Sequence, residues 1–254
     1  MHTKDIRNTA ALVTGASRGI GRAIALRLAA DGFHVIAMDL PQQEAEGAAL
    51  VAEIEAASGR ATFLAGDVGN PDDIRRFTAE AIALAGDIRV LVNNAGVLSV
   101  ASVDSLSSEE WDRMYDINMR GTFLVTQAML PHLRGQDNAR VINIASIGGK
   151  RGAPGQIHYC SSKAAVISFT QILAEEVAAN GITVNAVCPG IIDTDMGRNN
   201  YRDADSLARV KAKTALGRVG LPEDVSGSVA FFAGPDSSFI TGQALNVCGG
   251  ILFH

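Results

Sequence analysis

Ala11-Leu12-Val13-Thr14-Gly15-Ala16-Ser17-Arg18-Gly19-Ile20-Gly21, near the start of a chain of 254 residues, decides the fold. An aliphatic run ending in a β-branched residue passes straight into a glycine-rich turn, and apolar residues at helical spacing follow over 21–30. A strand that enters such a turn and leaves as a helix presents unpaired backbone N–H groups at a helix N-terminus, which is a cradle for phosphate. The spacing is Gly-x-x-x-Gly-x-Gly rather than Gly-x-Gly-x-x-Gly, so the strand, turn and helix context gives the motif its meaning.

Outward from that stretch, short aliphatic runs alternate with longer helical segments over almost the whole chain, the pattern of β-α-β units around a parallel sheet. Strands are expected at 11–14, 34–39, 61–64, 90–93, 140–145, 182–187 and 244–247. Several are apolar without alternation, as when helices cover both faces. Helices are expected at 21–30, 42–57, 72–85, 107–133 and 157–179. Asn70-Pro71-Asp72-Asp73 supplies a cap, a proline and acidic residues to one start, and Ser107-Ser108-Glu109-Glu110 resembles a capping box at another. Residues 191–221 are polar, weakly periodic and much longer than the usual connection of about 2 to 6 residues, and are expected to form a substrate-binding lid. The expected architecture is one α/β domain over 1–254, a doubly wound, seven-stranded parallel sheet of Rossmann type with helices on both faces.

Composition narrows the function. Hydrophobic residues at 47% and charged residues at 19% exclude a disordered chain, a collagen and a coiled coil. Lys and Arg number 22 against 27 Asp and Glu, a net charge of −5 without a basic cluster, so small molecules rather than nucleic acid are the expected partners. No apolar run approaches the roughly 18 residues that span a bilayer and no signal peptide is read, which makes the cytoplasm the expected compartment and a membrane partner unexpected. Cys160, Cys188 and Cys248 lack Cys-x-x-Cys spacing and the five histidines are scattered, so neither a disulfide framework nor a metal site is expected.

The second strand ends in Asp39, 18 residues beyond Gly21. A carboxylate there can accept hydrogen bonds from both ribose hydroxyls of an adenosine, and with the glycine turn it reads as a dinucleotide site. Tyr159-Cys160-Ser161-Ser162-Lys163 carries the catalytic signal, because a four-residue spacing puts phenol and ammonium on one helix face about 6 Å apart along the axis. A free phenol, with a pKa of about 10, is a poor base at neutral pH, and a neighbouring ammonium is expected to lower it. The fifth strand ends at Ser146, whose hydroxyl can bond a substrate oxygen beyond the carboxyl ends of the strands. Asn93-Asn94-Ala95-Gly96 closes the fourth strand with polar residues that need partners if buried. Asn118, a poor helix former inside an expected long helix, is either exposed or has a task.

These motifs, in this order and with Pro189-Gly190 followed by Thr194, resemble the short-chain dehydrogenase/reductase family over nearly the entire chain. The resemblance implies NAD as cofactor and hydride transfer between nicotinamide and the carbon of a secondary alcohol or ketone. It implies that Ser146 orients the substrate oxygen, Tyr159 transfers the proton, Lys163 binds nicotinamide ribose and lowers the tyrosine pKa, and Asn118 holds a water in a proton relay. Cofactor contacts are implied for Gly15, Ser17, Arg18, Gly19, Ile20, Gly21, Asp39, Asp67, Val68, Asn94, Ala95, Gly96, Tyr159, Lys163, Pro189, Gly190, Ile192 and Thr194. Asp67 and Val68 would lie near adenine, 94–96 along the adenosine, and Ile192 and Thr194 at the carboxamide. Asp39 favours NAD over NADP, while Arg18 is a basic residue of the kind NADP-users carry.

Rival readings exist. Gly15-Ala16-Ser17-Arg18-Gly19 matches the Gly-x-Ser-x-Gly elbow of serine hydrolases, with His132 or His158 as the imaginable base, although only 14 residues precede Gly15. Gly149-Lys150 fails as a P-loop because Ile144 stands where a glycine is required and Arg151 where a Ser or Thr is. A nucleotide-binding regulatory protein has no need of Ser146, Tyr159 and Lys163 together. Arg198, Asn199, Asn200, Tyr201 and Arg202 in the lid, with Lys150 and Arg151 nearby, point to a polyol or sugar-like substrate, with a 3-oxoacyl thioester as the alternative. The helices 107–133 and 157–179 resemble the family's dimer-forming pair, which implies a homotetramer with the segment 249–254 at another subunit interface.

Overall fold

The computed structural model describes residues 9–201 and 203–253. Seven strands, β1 (Ala10–Thr14), β2 (His34–Asp39), β3 (Arg60–Ala65), β4 (Ile88–Asn93), β5 (Arg140–Ile144), β6 (Thr183–Pro189) and β7 (Ala244–Val247), form one sheet in the order β3-β2-β1-β4-β5-β6-β7. All pairings are parallel. The right-handed crossovers that parallel strands require place helices on both faces.

On one face α1 (Gly19–Ala30), α2 (Glu44–Ala56) and α8 (Pro222–Ala233) pack Ile24, Leu28, Leu50, Ile54, Val225 and Val229 against Val13, Val35, Val90 and Val92. On the other, α3 (Pro71–Ala85), α5 (Thr122–Arg134) and α6 (Ile157–Val177) pack Phe77, Met129, Leu133 and Leu173 against Leu12, Ile36, Leu91 and Val184. Successive residues of β1 and β4 alternate between these two cores, which is why those strands read as unbroken apolar runs. The strand order reverses between β1 and β4, so the crevice above their carboxyl ends is where ligands bind in such sheets. The glycine turn leaves β1 there, and Asn94-Ala95-Gly96 leaves β4 beside it.

Two helical expectations are corrected. The segment 107–133 is not one helix but α4 (Ser108–Tyr115), a π-helical turn (Asp116–Gly121) and α5. The cause is Asn118, fully buried and bonded to the loop after β4, which a regular helix would aim elsewhere. The region 191–221 contains a regular helix, α7 (Ala204–Lys213), started by a capping box between Asp203 and Ser206. The helix α8 falls outside the expected set altogether, although Pro222 and Asp224, whose carboxylate accepts from Leu221 N at 2.7 Å, mark its start. Ser226, Gly227 and Ser228 interrupt its apolar spacing and hide the period. Among the described residues no helix is long and apolar enough to cross a membrane.

Candidate active site

Gly15 has φ of +64°, and a side chain there would put Cβ 2.9 Å from Ala95 Cα. A Cβ at Gly21 would fall 1.9 Å from Gly15 O, so the first turn of α1 closes onto the loop only without side chains. Asn94 Nδ2 donates to Thr14 O and Gly15 O, both at 2.9 Å, and Thr14 Oγ1 accepts from Asn94 N and Ala95 N. The Asn94 amide is thus committed to the loop, leaving the backbone of 94–96 to face the crevice. Asp39 accepts from Ser17 N at 2.9 Å and from Leu40 N at 2.8 Å, which fixes its carboxylate at the end of β2. Ser17 Oγ is buried without a hydrogen-bond partner in the floor of the turn, which fits the phosphate of a dinucleotide as its acceptor. Ile20 packs on the core beneath, and Arg18 is exposed at the rim. Asp67 Oδ1 accepts from Gly69 N, its backbone N–H donates to Asp73, and Val68 is buried next to it.

The proton-handling groups converge from three elements. Ser146, just past β5, is nearly buried and accepts from Gly148 N at 3.0 Å. Lys163 is 4% exposed, its Nζ donates to Ile144 O at 2.8 Å, and it stands 6.0 Å from the centroid of the Tyr159 ring. The π-helical turn brings in Asn118, whose Oδ1 accepts from Val97 N at 2.8 Å while Nδ2 donates to Val97 O at 3.0 Å and Ser162 Oγ at 3.2 Å. Underneath, Asn93 Nδ2 donates to Thr126 Oγ1 and Asn143 Oδ1, and Asn143 Nδ2 donates to Thr170 Oγ1. That belt ties α5, β4, β5 and α6 into one floor.

The electrostatics correct one expectation. Burial pushes the Tyr159 phenol above its ordinary pKa, with the Ser146 hydroxyl pulling the other way, and Lys163 does not offset the loss of water around the phenol. Burial also lowers Lys163 itself, to about 8. The phenol is held in its protonated form, as a general acid requires.

The lid residues are corrected too. Arg198 is bound to Asp193 at 3.0 Å and Asp195 at 3.1 Å, and Tyr201 donates to the same Asp193. Lys150 Nζ donates to Ala244 O of β7 at 2.6 Å, and Arg151 is exposed. Arg202 lies outside the described residues. Thr194 does reach the glycine turn: a Cβ at Gly19 would sit 3.2 Å from its Cγ2. Ile192 is buried and bridges to Gly220, and Pro189-Gly190 ends β6 against Cys248. The hydrolase reading fails here: Ser17 Oγ has no partner, His132 contacts Gln136, and His158 contacts Ser99. Ser162, Ser99 and Glu110 were not anticipated at the site; the only sequence signal was Ser162 standing one helical turn from His158.

The family model described as short chain dehydrogenase matches residues 9–205. A 3-oxoacyl-[acyl-carrier-protein] reductase of Synechocystis is 42% identical over 243 residues, covering 95% of this chain and 96% of that protein. A crystal structure of a dehydrogenase/reductase from Sinorhizobium meliloti superposes with a TM-score of 0.92 at 36% identity, over 99% of this chain and 98% of that one. A blue fluorescent protein from a metagenomic library, solved with NADPH, gives 0.90 at 36% identity over 98% of this chain and 100% of that one.

Proposed function

The chain belongs to the short-chain dehydrogenase family, an oxidoreductase family that binds a nicotinamide cofactor, and on that premise we propose that it reduces the keto group of a 3-oxoacyl thioester with NADH. The observation that carries this reading is a protonated Tyr159 phenol beside the Ser146 hydroxyl, with Lys163 Nζ 6.0 Å from the centre of its ring. Val100, Ile157 and Met196, at 49%, 44% and 39% exposure, leave apolar surface on the segment after β4, at the start of α6 and on the segment after β6. Of the cations that favoured a polyol, Arg198 is paired with Asp193 and Asp195 and Lys150 is turned to Ala244 O of β7, which weakens the case for that substrate. The name of the Synechocystis relative supports the thioester.

In this mechanism the Ser146 hydroxyl donates to the keto oxygen and holds it beside the Tyr159 hydroxyl. When bound, the cofactor supplies the hydride. Tyr159 gives its proton to the oxygen as negative charge develops there, and Lys163, with its pKa near 8, returns a proton to the phenolate. Lys163 would also hold the nicotinamide ribose, residues 15–21 the phosphates, and Thr194 and Ile192 the carboxamide side. Asn118 keeps the wall after β4 in place and holds the relay water.

Asp39 selects NADH, because its fixed carboxylate accepts from a 2′-hydroxyl and repels a 2′-phosphate. Exposed Arg18 and the NADPH of the metagenomic relative favour the other coenzyme. Reduction of acetoacetyl thioester with each coenzyme, beside oxidation of a panel of polyols with NAD, tests both parts. Faster polyol oxidation would remove the thioester, and a higher kcat/KM with NADPH would remove the coenzyme assignment. The proposal includes a homotetramer paired through α4, α5 and α6, where Phe123 and Ile172 are exposed, with 249–253 and exposed Phe253 at a second interface. A monomer in sedimentation at micromolar concentration would refute it.

A further inference from the structure

A buried titratable side chain that the proposed reaction does not use stands directly before Tyr159. His158 is 0% exposed, its Nε2 lies 2.8 Å from Ser99 Oγ, and Ser99 Oγ donates to Glu110 Oε1 at 2.5 Å. Proton counting fixes the order along this chain. A serine hydroxyl has one hydrogen and an ionised carboxylate can only accept, so the Ser99 hydrogen goes to Glu110 and His158 Nε2 must donate to Ser99 Oγ. His158 Nδ1 is buried without a partner, and a second ring proton there would be an unsatisfied buried donor. The hydrogen-bond order therefore places the ring proton on Nε2. Because Ser99 donates to the carboxylate and not to the imidazole, this is not the arrangement that activates a nucleophile.

What the three residues join is more telling. Ser99 belongs to the segment after β4 that forms one wall of the site, Glu110 to α4, and His158 to the first turn of α6. The same segment is held at Val97 by Asn118 and at Ala101, whose N–H donates to Gly155 O at 2.9 Å. Ser99 lies midway between these two anchors and is the point where side chains bind the segment to the turn that carries Tyr159. Arg113 Nη1 stands 3.5 Å from the same Glu110 Oε1 and pairs with the carboxylate.

We infer that Glu110, Ser99 and His158 form a proton-ordered clamp that fixes the wall 97–101 to the catalytic helix, so that substrate meets Tyr159 in one orientation. His158 is a positioning residue acting through Ser99. The inference rests on Tyr159 being the proton donor, and part of its test is independent of that reading.

The test uses the NADH-bound enzyme and the variants Ser99→Ala, His158→Asn, His158→Gln, His158→Met and Glu110→Gln. Nitrogen-15 shifts of the His158 ring, assigned by their loss in His158→Gln, report the tautomer, and hydrogen exchange at the Ala101 amide reports the wall. The wild type is expected to show Nε2–H, and Ser99→Ala to speed exchange at Ala101. In Glu110→Gln the freed serine hydroxyl is expected to turn toward the ring and reverse the tautomer. With acetoacetyl thioester, Ser99→Ala and His158→Asn should raise KM about tenfold while kcat and NADH affinity stay within about twofold. His158→Gln, whose amide N–H stands where Nε2 stood, should restore KM, and His158→Met, of similar volume but without a donor, should not; a purely space-filling role would treat Gln and Met alike. An Nδ1–H ring in the wild type, or unchanged Ala101 exchange and KM in Ser99→Ala, overturns the clamp. Should no thioester be reduced at all, the function fails, while tautomer and exchange still decide the clamp.

Discussion

Lys163 and Arg198 are both cations at one site, and the protein treats them in opposite ways. Lys163 is held at the carboxyl end of β5 by a backbone carbonyl, without a carboxylate beside it, and its charge is made costly, with the pKa pulled down to about 8. Arg198 lies in water between Asp193 and Asp195, and its charge is made cheap. The floor, with Ser146, Asn118, Tyr159 and the Asn93–Asn143 belt, is tied by buried hydrogen bonds and is the place to which the proposed reaction assigns the proton chemistry. The 191–221 segment, with α7, holds its charges in exposed ion pairs. A charged residue near a substrate is therefore informative only once its partners are known.

The comparison breaks most sharply at Tyr159. Tyr159→Phe removes only a hydroxyl, yet kcat is expected to fall by roughly 10² to 10⁴ with NADH binding retained. Near-normal turnover would make the floor a scaffold without proton chemistry. The rate of reduction should fall as pH rises through the phenol's raised pKa, because reduction needs the protonated form, and oxidation should show the opposite slope.

Lys163→Met should cost cofactor affinity and turnover together, and it carries a stability signature. The folded pKa of about 8 lies below the reference 10.5, so the native state resists protonation. The penalty is complete below about pH 8 and vanishes above 10.5, and wild-type stability should gain on Lys163→Met by something of order 3 kcal/mol across that window. Urea denaturation of the two proteins side by side checks this, since the titrations of Tyr159 and Cys188 are common to both. A constant difference would mean that Lys163 is not desolvated. The smallest effect belongs to the 191–221 segment: Arg198→Ala should leave stability nearly unchanged and KM within about threefold, because exposed ion pairs contribute little. A large rise in KM would return Arg198 to the substrate.

How far the sequence led depends on what each residue answers to. The strands and the glycine turn were legible because local rules govern them: apolar runs, backbone N–H groups at a helix start, an acidic strand end. Tyr159, Lys163, Ser146 and Asn118 were legible as residues. The direction of the phenol's pKa was not, because spacing along a helix does not report how much water burial removes. Arg198 misled for the converse reason, since its partners Asp193 and Asp195 were in plain view but nothing in the sequence fixed their geometry. The clamp at His158 joins positions 99, 110 and 158, separations over which no local pattern survives.

The π-helical turn at Asp116–Gly121 inserts one extra residue into what would otherwise be a continuous rod from Ser108 to Arg134. In angular terms that is a phase shift of about 100° between its two ends. On one side of the shift Met114 meets Asn118 beside Ser162; on the other, Val125, Met129 and Leu133 meet the sheet. Removing a single residue between 116 and 121 would bring the two ends back into phase and give a straighter, better-bonded helix. It would also swing Asn118 off Val97. In this stretch a gain in helical regularity is a loss of aim, and the length of the segment is as constrained as the identity of any residue in it.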